Sequence, residues 1–401
     1  MVKKRSLRWS LFFFILFSLC FLSFNGAMAA EKTEILVGAP NSITGVNAMT
    51  GLEHRWAYET AVADINAKGG VYVKELGKKL PIKLIFADDK SAPDQAAAAM
   101  ERLIKVDKID LALSSNVTPY NIAAATVCEK YKMYYQIVIS WLDFVEKENF
   151  KWVADLFTDT ASAAKTPFLI WEEQLAPDQR PKRPALLMED NQDGQGFGSG
   201  FKAFAKEYGY KFVVDAPFAP GTKDFSSHIL KYKAAKVDAL LTLCPPTDGI
   251  TLLRQMKEQG VKIPYIHGWK GLWPREFEQA MGKDANYIIH DGFWSDKAGN
   301  PGEKELQERF VKKFGRDSVS VGLSYANPQI LAMAIERAGS IEPAKVRDTV
   351  FGGEFKGTMM GDVKYNEKGL AFTPLIAMQW WNGERMPIYP PNPKVWKLKL
   401  P

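Results

Sequence analysis

Short, nearly continuous apolar runs alternate along this chain with stretches whose apolar residues recur at helical spacing, and that alternation limits what it can fold into. Glu34 to Ala39 reads as a strand running into Pro40-Asn41-Ser42-Ile43-Thr44-Gly45. A helix follows with Tyr58, Val62 and Ile65 on one face, until Gly69-Gly70 stops it. Next come strand Ile82 to Ala87, a helix carrying Met100, Leu103 and Ile104, and strand Asp110 to Leu113. The polar loop Ser114-Ser115-Asn116-Val117-Thr118, an Ala-rich helix through Cys128 and strand Tyr134 to Ile139 complete the unit. Strands apolar along their whole length are buried on both faces, so the fold class is α/β, with helices covering a parallel sheet.

After the Pro- and charge-rich stretch Asp178 to Pro184 the pattern restarts. Strand Ala185 to Met188 leads through a Gly-rich turn into a helix with Phe197, Phe201, Phe204 and Tyr208 on one face. Strand Lys211 to Asp215, helix Asp224 to Lys233, strand Asp238 to Leu243, helix Asp248 to Gln259 and strand Tyr265-Ile266 follow. Two such units in tandem predict two Rossmann-like lobes. Sheets of this kind bind ligands beyond the carboxyl ends of their strands, which puts the polar loops at the site. The last third adds helices around Leu306 to Phe314 and Pro328 to Ala338, a strand-rich tail containing Met378 to Trp381, and an irregular end over Pro387 to Pro393.

The beginning of the chain has a different character. Lys3, Lys4, Arg5 and Arg8 precede an apolar run from Leu11 to Phe24, which ends at Ala27-Met28-Ala29. This is the pattern of a secretory leader over residues 1–29, cleaved near Ala29; the run is too short for a membrane anchor. Cys20 follows Leu19, not the small residue that a lipoprotein signal wants, so the exported protein is expected to be soluble and periplasmic. Losing those four positive charges takes the formal net charge from +6 to +2, which leaves no basic stripe for nucleic acid. About 370 residues remain, more than one core usually organises. Cys128 and Cys244 lie on elements of different units and are expected to be unpaired, buried thiols.

Catalytic motifs do not emerge. His54, His228, His267 and His290 fall in no metal-ligand spacing, and no metal or cofactor is expected. In Gly194-Gln195-Gly196-Phe197-Gly198-Ser199-Gly200, Ser199 stands where a dinucleotide loop needs its third glycine, and there is no Lys for a P-loop. Phe197 likewise breaks a GxSxG nucleophile elbow. No recognisable catalytic constellation supports an enzyme, and none is expected.

Gly38-Ala39-Pro40, Thr44-Gly45, Gly51 and Ile65-Asn66-Ala67-Lys68-Gly69-Gly70 resemble the opening of type I periplasmic binding proteins of the leucine/isoleucine/valine-binding family. Asp190 to Gly196, Gly221-Thr222-Lys223-Asp224-Phe225-Ser226 and Arg254 to Gly260 resemble that family's second-lobe pattern, in the same order. The resemblance implies two lobes joined by a three-strand hinge, with a small solute trapped between them and passed to the membrane permease of an ATP-driven importer. By analogy the crossovers fall near Phe150 to Val153, Gly268 to Gly271 and Gly369 to Thr373. Lobe I then comprises 31–151 plus 271–369, and lobe II 152–270 plus 370–401. A monomer is expected. A ligand sensor of the same fold, taking amides or urea and signalling through a membrane partner, is the alternative.

The same resemblance implies ligand contacts. Hydroxyls and N–H groups of Ser114, Ser115 and Thr118 would hold a ligand carboxylate, although such groups equally cap a helix. Ser140 and Trp141 map to the next contact loop, where Trp141 covers an apolar or planar body or simply packs the cleft. Thr50 matches a position where amino-acid binders often carry an aromatic. In the second lobe Asp193 stands for a common tyrosine, and Pro245 lies near another aromatic position. Gly268-Trp269-Lys270-Gly271 places Lys270 where amino-acid binders put the acid for the α-ammonium group, with Trp269 beside it. Lys270 either faces the cleft, favouring a carboxylate, or is a solvated hinge lysine. Asp193 either neutralises it or serves as the ammonium partner itself. The solute classes left open are an amino acid, an amine-free organic or aromatic acid, and an amide.

Overall fold

Six parallel strands make the first sheet, in the order Leu370–Phe372, Val153–Phe157, Tyr135–Val138, Leu111–Leu113, Ile35–Asn41, Ile82–Asp88. The computed structural model describes residues 32–296, 299–390 and 397–401. The expected leader, its cleavage site and residues 391–396 of the expected irregular end lie outside them. A second sheet runs Val214–Asp215, Pro184–Met188, Ala239–Cys244, Tyr265–Lys270, Ile289–Gly292, all parallel. Ile376–Trp381 and Glu384–Tyr389 extend it in antiparallel fashion, so it is mixed where a parallel sheet was expected.

The sheets differ from the expected lobe boundaries at three places. Val153–Phe157 pairs with Tyr135–Val138 and so belongs to the first half, not to a lobe beginning at 152. Residues 271–292 stay with the second half: Phe277 is buried in its core with Leu252 and Leu253, and Ile289–Gly292 pairs with Tyr265–Lys270. Leu370–Phe372 returns to the first sheet beside Val153–Phe157. The crossovers therefore follow Phe157, Gly292 and Phe372. Ile289–Gly292 escapes a sequence reading because two of its four residues, His290 and Asp291, are polar yet fully buried. Pro387 lies within strand Glu384–Tyr389, not in an irregular end; that strand is at the sheet edge, where a missing N–H is tolerated.

In each sheet the chain reverses its direction of progress once. From Ile35–Asn41 it steps to Ile82–Asp88 on one side and then to Leu111–Leu113 on the other. From Pro184–Met188 it steps to Val214–Asp215 and then across to Ala239–Cys244. Loops diverge at such a switch point and leave a crevice at the carboxyl ends of the strands. The helices flanking each crevice bury one apolar stripe. Ala48–Ala67 turns Ala57, Tyr58, Ala61 and Val62 inward, and Gln192–Glu207 turns in Phe197 and Phe201. Cys128 and Cys244 are both free and buried, as expected.

An aromatic seam joins the halves. Trp141, on the first half, lies 5.1 Å from Phe157 and 4.9 Å from Phe197 of the second, ring centre to ring centre. Phe157 meets Phe293 at 4.6 Å, and Phe293 meets Trp273 at 4.9 Å. Beside the seam, Phe144 of helix Leu142–Glu148 sits against Gly196 of helix Gln192–Glu207. A Cβ at Gly196 would come within 2.1 Å of the Phe144 ring. Ion pairs also cross: Arg316, over the Phe310 and Phe314 rings, contacts Glu53 of the first half and, at 2.6 Å, Glu276 of the second.

Two expectations follow. Gly196→Ala should hold the halves apart, giving a larger radius of gyration in solution scattering that Phe144→Ala in the same chain reverses; an unchanged radius would show that the ring simply swings aside. Asp155 is fully buried in Val153–Phe157, and neither carboxylate oxygen has a hydrogen-bond partner among the described residues. Burial therefore pushes its carboxyl well above the usual range. The folded chain holds this proton more tightly than the unfolded one, so the carboxyl costs stability as pH rises above about 4. Asp155→Asn should raise the melting temperature by a few degrees at pH 7 and leave it unchanged below that range. An equal shift at both pH values would contradict a protonation origin.

Candidate functional site

Both switch points open into one cavity. From the first half it is lined by Thr50 and His54 of helix Ala48–Ala67, by Asn116, Val117 and Thr118 before helix Thr118–Tyr131, and by Ile139 and Trp141. Asp193, Leu243, Lys270 and Trp273 line it from the second half, with Ser320 and Ser324 closing one side. Trp141, Phe157, Trp273 and Phe293 form an apolar wall opposite the polar groups. Helix Thr118–Tyr131 begins without a side-chain cap; Pro119 has no N–H and the Tyr120 and Asn121 N–H groups donate to the Val117 carbonyl, so its end offers an anion the Thr118 N–H and the partial positive charge of the helix. Asn116 Nδ2 donates to Thr50 Oγ1 at 2.9 Å, which ties the loop to the first helix.

Backbone strain marks the same place. Ile139 and Lys270, each just past or at the end of a strand, have φ of 59° and 62°. A β-branched residue at positive φ is an outlier, and such strain persists only where the surroundings impose it.

Five of the ten expected contacts line this cavity: Thr50, Thr118, Trp141, Asp193 and Lys270. The other five are placed elsewhere. Ser114 is buried with its Oγ bonded to Tyr58 Oη at 2.9 Å and accepting from Val138 N. Ser115 Oγ donates to Asp89. Ser140 Oγ accepts from Asn121 Nδ2 at 2.9 Å, and Asn121 also binds the Ser115 backbone. These serines brace the loop; none caps the helix. Trp269 precedes Lys270 on one strand, so the two side chains point to opposite faces. It stacks on His267 at 4.1 Å and packs against Phe197 and Phe201, away from the cavity. Pro245 precedes helix Pro246–Glu258, where its carbonyl accepts from Asp248 and Gly249.

Lys270 is not a solvated hinge residue. It is buried, and its Nζ donates to Glu189 Oε1 at 2.6 Å, with Asp193 Oδ2 at 4.0 Å. Burial alone would lower its pKa, but the charges of Glu189 and Asp193 outweigh burial and hold the ammonium above the usual lysine range. Burial pushes the Asp193 carboxyl up to about 7, with Lys270 opposing and Glu189 adding to the rise. His54 is uncharged at neutral pH: burial lowers it to about 4, and its ring nitrogens meet Ser324 Oγ at 2.9 Å and the Ser114 carbonyl at 3.0 Å.

Sequence reasoning passed over Glu189, His54, Asn116, Trp273 and Phe293. Glu189 directly follows strand Pro184–Met188, and that position at a carboxyl end was the available signal. A larger, more open cleft between helix Glu303–Phe314 and strand Glu384–Tyr389 is a poorer candidate, because its buried charges are already drawn into ion pairs with one another. Asp317 there pairs with Arg385 at 2.5 Å and accepts from Arg275 Nε at 2.8 Å.

Comparison with known proteins agrees with this architecture. The family model described as periplasmic binding protein matches residues 34–384. A Leu/Ile/Val-binding protein homolog 7 from Brucella abortus (strain 2308) is 24% identical over 402 residues, covering 96% of this chain and 99% of that protein. The branched-chain amino acid transporter substrate binding protein LivJ from Streptococcus pneumoniae, solved with isoleucine, superposes with a TM-score of 0.77 at 20% identity over 88% of this chain and 98% of that one. A solute binding protein of an ABC transporter from Rhodopseudomonas palustris BisB5, solved with 3,4-dihydroxybenzoic acid, gives 0.75 at 19% identity over 89% and 96%. With the family pattern spanning both sheets and the cavity between them, this chain belongs to the periplasmic binding protein family, whose members bind solutes and are not enzymes.

Proposed function

We propose that this chain captures a small carboxylate-bearing solute between its two halves and delivers it to the membrane permease of an ATP-driven importer. The solute is an amino acid, branched-chain or other, or a related organic or aromatic acid. The observation that carries this reading is the uncapped N-terminus of helix Thr118–Tyr131 opening, with Thr118 and Asn116, onto a buried cavity that has an aromatic wall. A carboxylate at the helix end gains the Thr118 N–H and the positive end of the helix dipole, while the solute body meets Trp141, Phe157, Trp273 and Phe293. The relative named for Leu/Ile/Val binding and the neighbours solved with isoleucine and with a dihydroxybenzoic acid support this range of solutes. Capture in the periplasm by a monomer, after removal of a leader near Ala29, completes the reading. Solute and closure are coupled because whatever binds only the shut form shifts the population toward it.

A thermal-shift screen of amino acids, aliphatic acids, aromatic acids and amides tests it. A matching solute at a hundredfold excess over its Kd should raise the melting temperature by several degrees. No shift from any small carboxylate, or chemical conversion of one, would refute the proposal.

A further inference from the structure

The charged groups at the second-half end of the cavity do not balance. Lys270 is the one cation among its described lining residues, and two carboxylates face it. Glu189 holds the ammonium at 2.6 Å from behind, without lining the cavity itself. Asp193 lines the cavity, is nine-tenths or more buried, and has its Oδ1 without a hydrogen-bond partner. Among the described residues that line the cavity, none besides Lys270 carries a positive charge. His54 is neutral, and Asp143, nearby on helix Leu142–Glu148, is another carboxylate, bonded to Thr160.

We propose that Glu189 sets the class of solute: by occupying the Lys270 ammonium it leaves Asp193 Oδ1 as a free acceptor, so the site selects a solute that carries a cationic nitrogen over its amine-free analogue. A buried carboxylate oxygen with no donor is costly, and an ammonium or N–H group of the solute removes that cost. A bare acid supplies no donor to Asp193 Oδ1 and adds a carboxylate beside the two that already surround Lys270. Without the Glu189 charge, Lys270 would turn to Asp193, already 4.0 Å away, and the preference would fade. This rests on the proposed solute-binding role and narrows it to amine-bearing solutes.

The test uses matched sets on the purified protein, with affinities measured by calorimetry: L-leucine, 4-methylpentanoate and 3-methylbutylamine, then L-phenylalanine, 3-phenylpropanoate and 2-phenylethylamine. In the unaltered protein the amino acid should bind at least tenfold more tightly than its deaminated acid, and Glu189→Gln should shrink that ratio by about tenfold. An acid that binds as tightly as its amino acid, or a ratio that Glu189→Gln leaves intact, overturns the inference while the carboxylate reading stands. If Glu189→Gln folds poorly by circular dichroism, Asp193→Asn takes its place and should erase the same ratio; a retained ratio overturns the inference. Amines binding where neither acid nor amino acid does would uphold the inference and refute the carboxylate reading. Silence of all six compounds would overturn both.

Discussion

Parallel strands cannot be joined by hairpins. Each pair needs a crossover, so the carboxyl ends of neighbouring parallel strands gather along one edge of the sheet. Everything functional in this chain follows from that constraint applied twice. In the first sheet the edge carries Ser42, the loop ending in Asn116 and Thr118, and Ile139; in the second it carries Glu189, Asp193 and Lys270. Three passages of the chain between the sheets turn the two edges toward one cavity.

What meets there is asymmetric. The first half offers a helix end and neutral donors, an environment suited to an anion. The second half offers a close ion pair, Lys270 with Glu189, and a second carboxylate, Asp193, one of whose oxygens has no hydrogen-bond partner. Between the two poles lies an aromatic wall drawn from both halves. The seam of Trp141, Phe157, Phe293 and Trp273 thus packs the halves together and forms the apolar side of the site. Gly196 has a comparable double role: its missing side chain starts no phosphate loop but makes room for Phe144.

Much of the fold was legible because periodicity survives in a single sequence. Strands Ile35–Asn41, Ile82–Asp88, Leu111–Leu113, Tyr135–Val138, Pro184–Met188 and Ala239–Cys244 stand out as apolar runs, and helices between them show one apolar face. Ile289–Gly292 did not stand out, since His290 and Asp291 are buried by tertiary contacts that no local pattern announces. Missing that strand displaced the second crossover. In the site, Thr50, Thr118, Trp141, Asp193 and Lys270 were legible through the resemblance to the leucine/isoleucine/valine-binding family. Ser114, Ser115 and Ser140 misled because a hydroxyl that braces a loop and one that grips a ligand look alike until Tyr58, Asp89 and Asn121 are seen to occupy them.

The order of residues along the chain was enough to determine an α/β chain of two repeating units, with polar loops at the strand ends and no catalytic motif. These are local properties, set by spacing and by the turn chemistry of Gly and Pro. Only the tertiary structure decided which way Lys270 points and what neutralises it. Glu189 lies 81 residues earlier, and a pairing at 2.6 Å depends on two parallel strands that end on either side of a third, Ala239–Cys244. Charge balance in a buried site is a property of distances in space, and residue identity along the chain does not encode it.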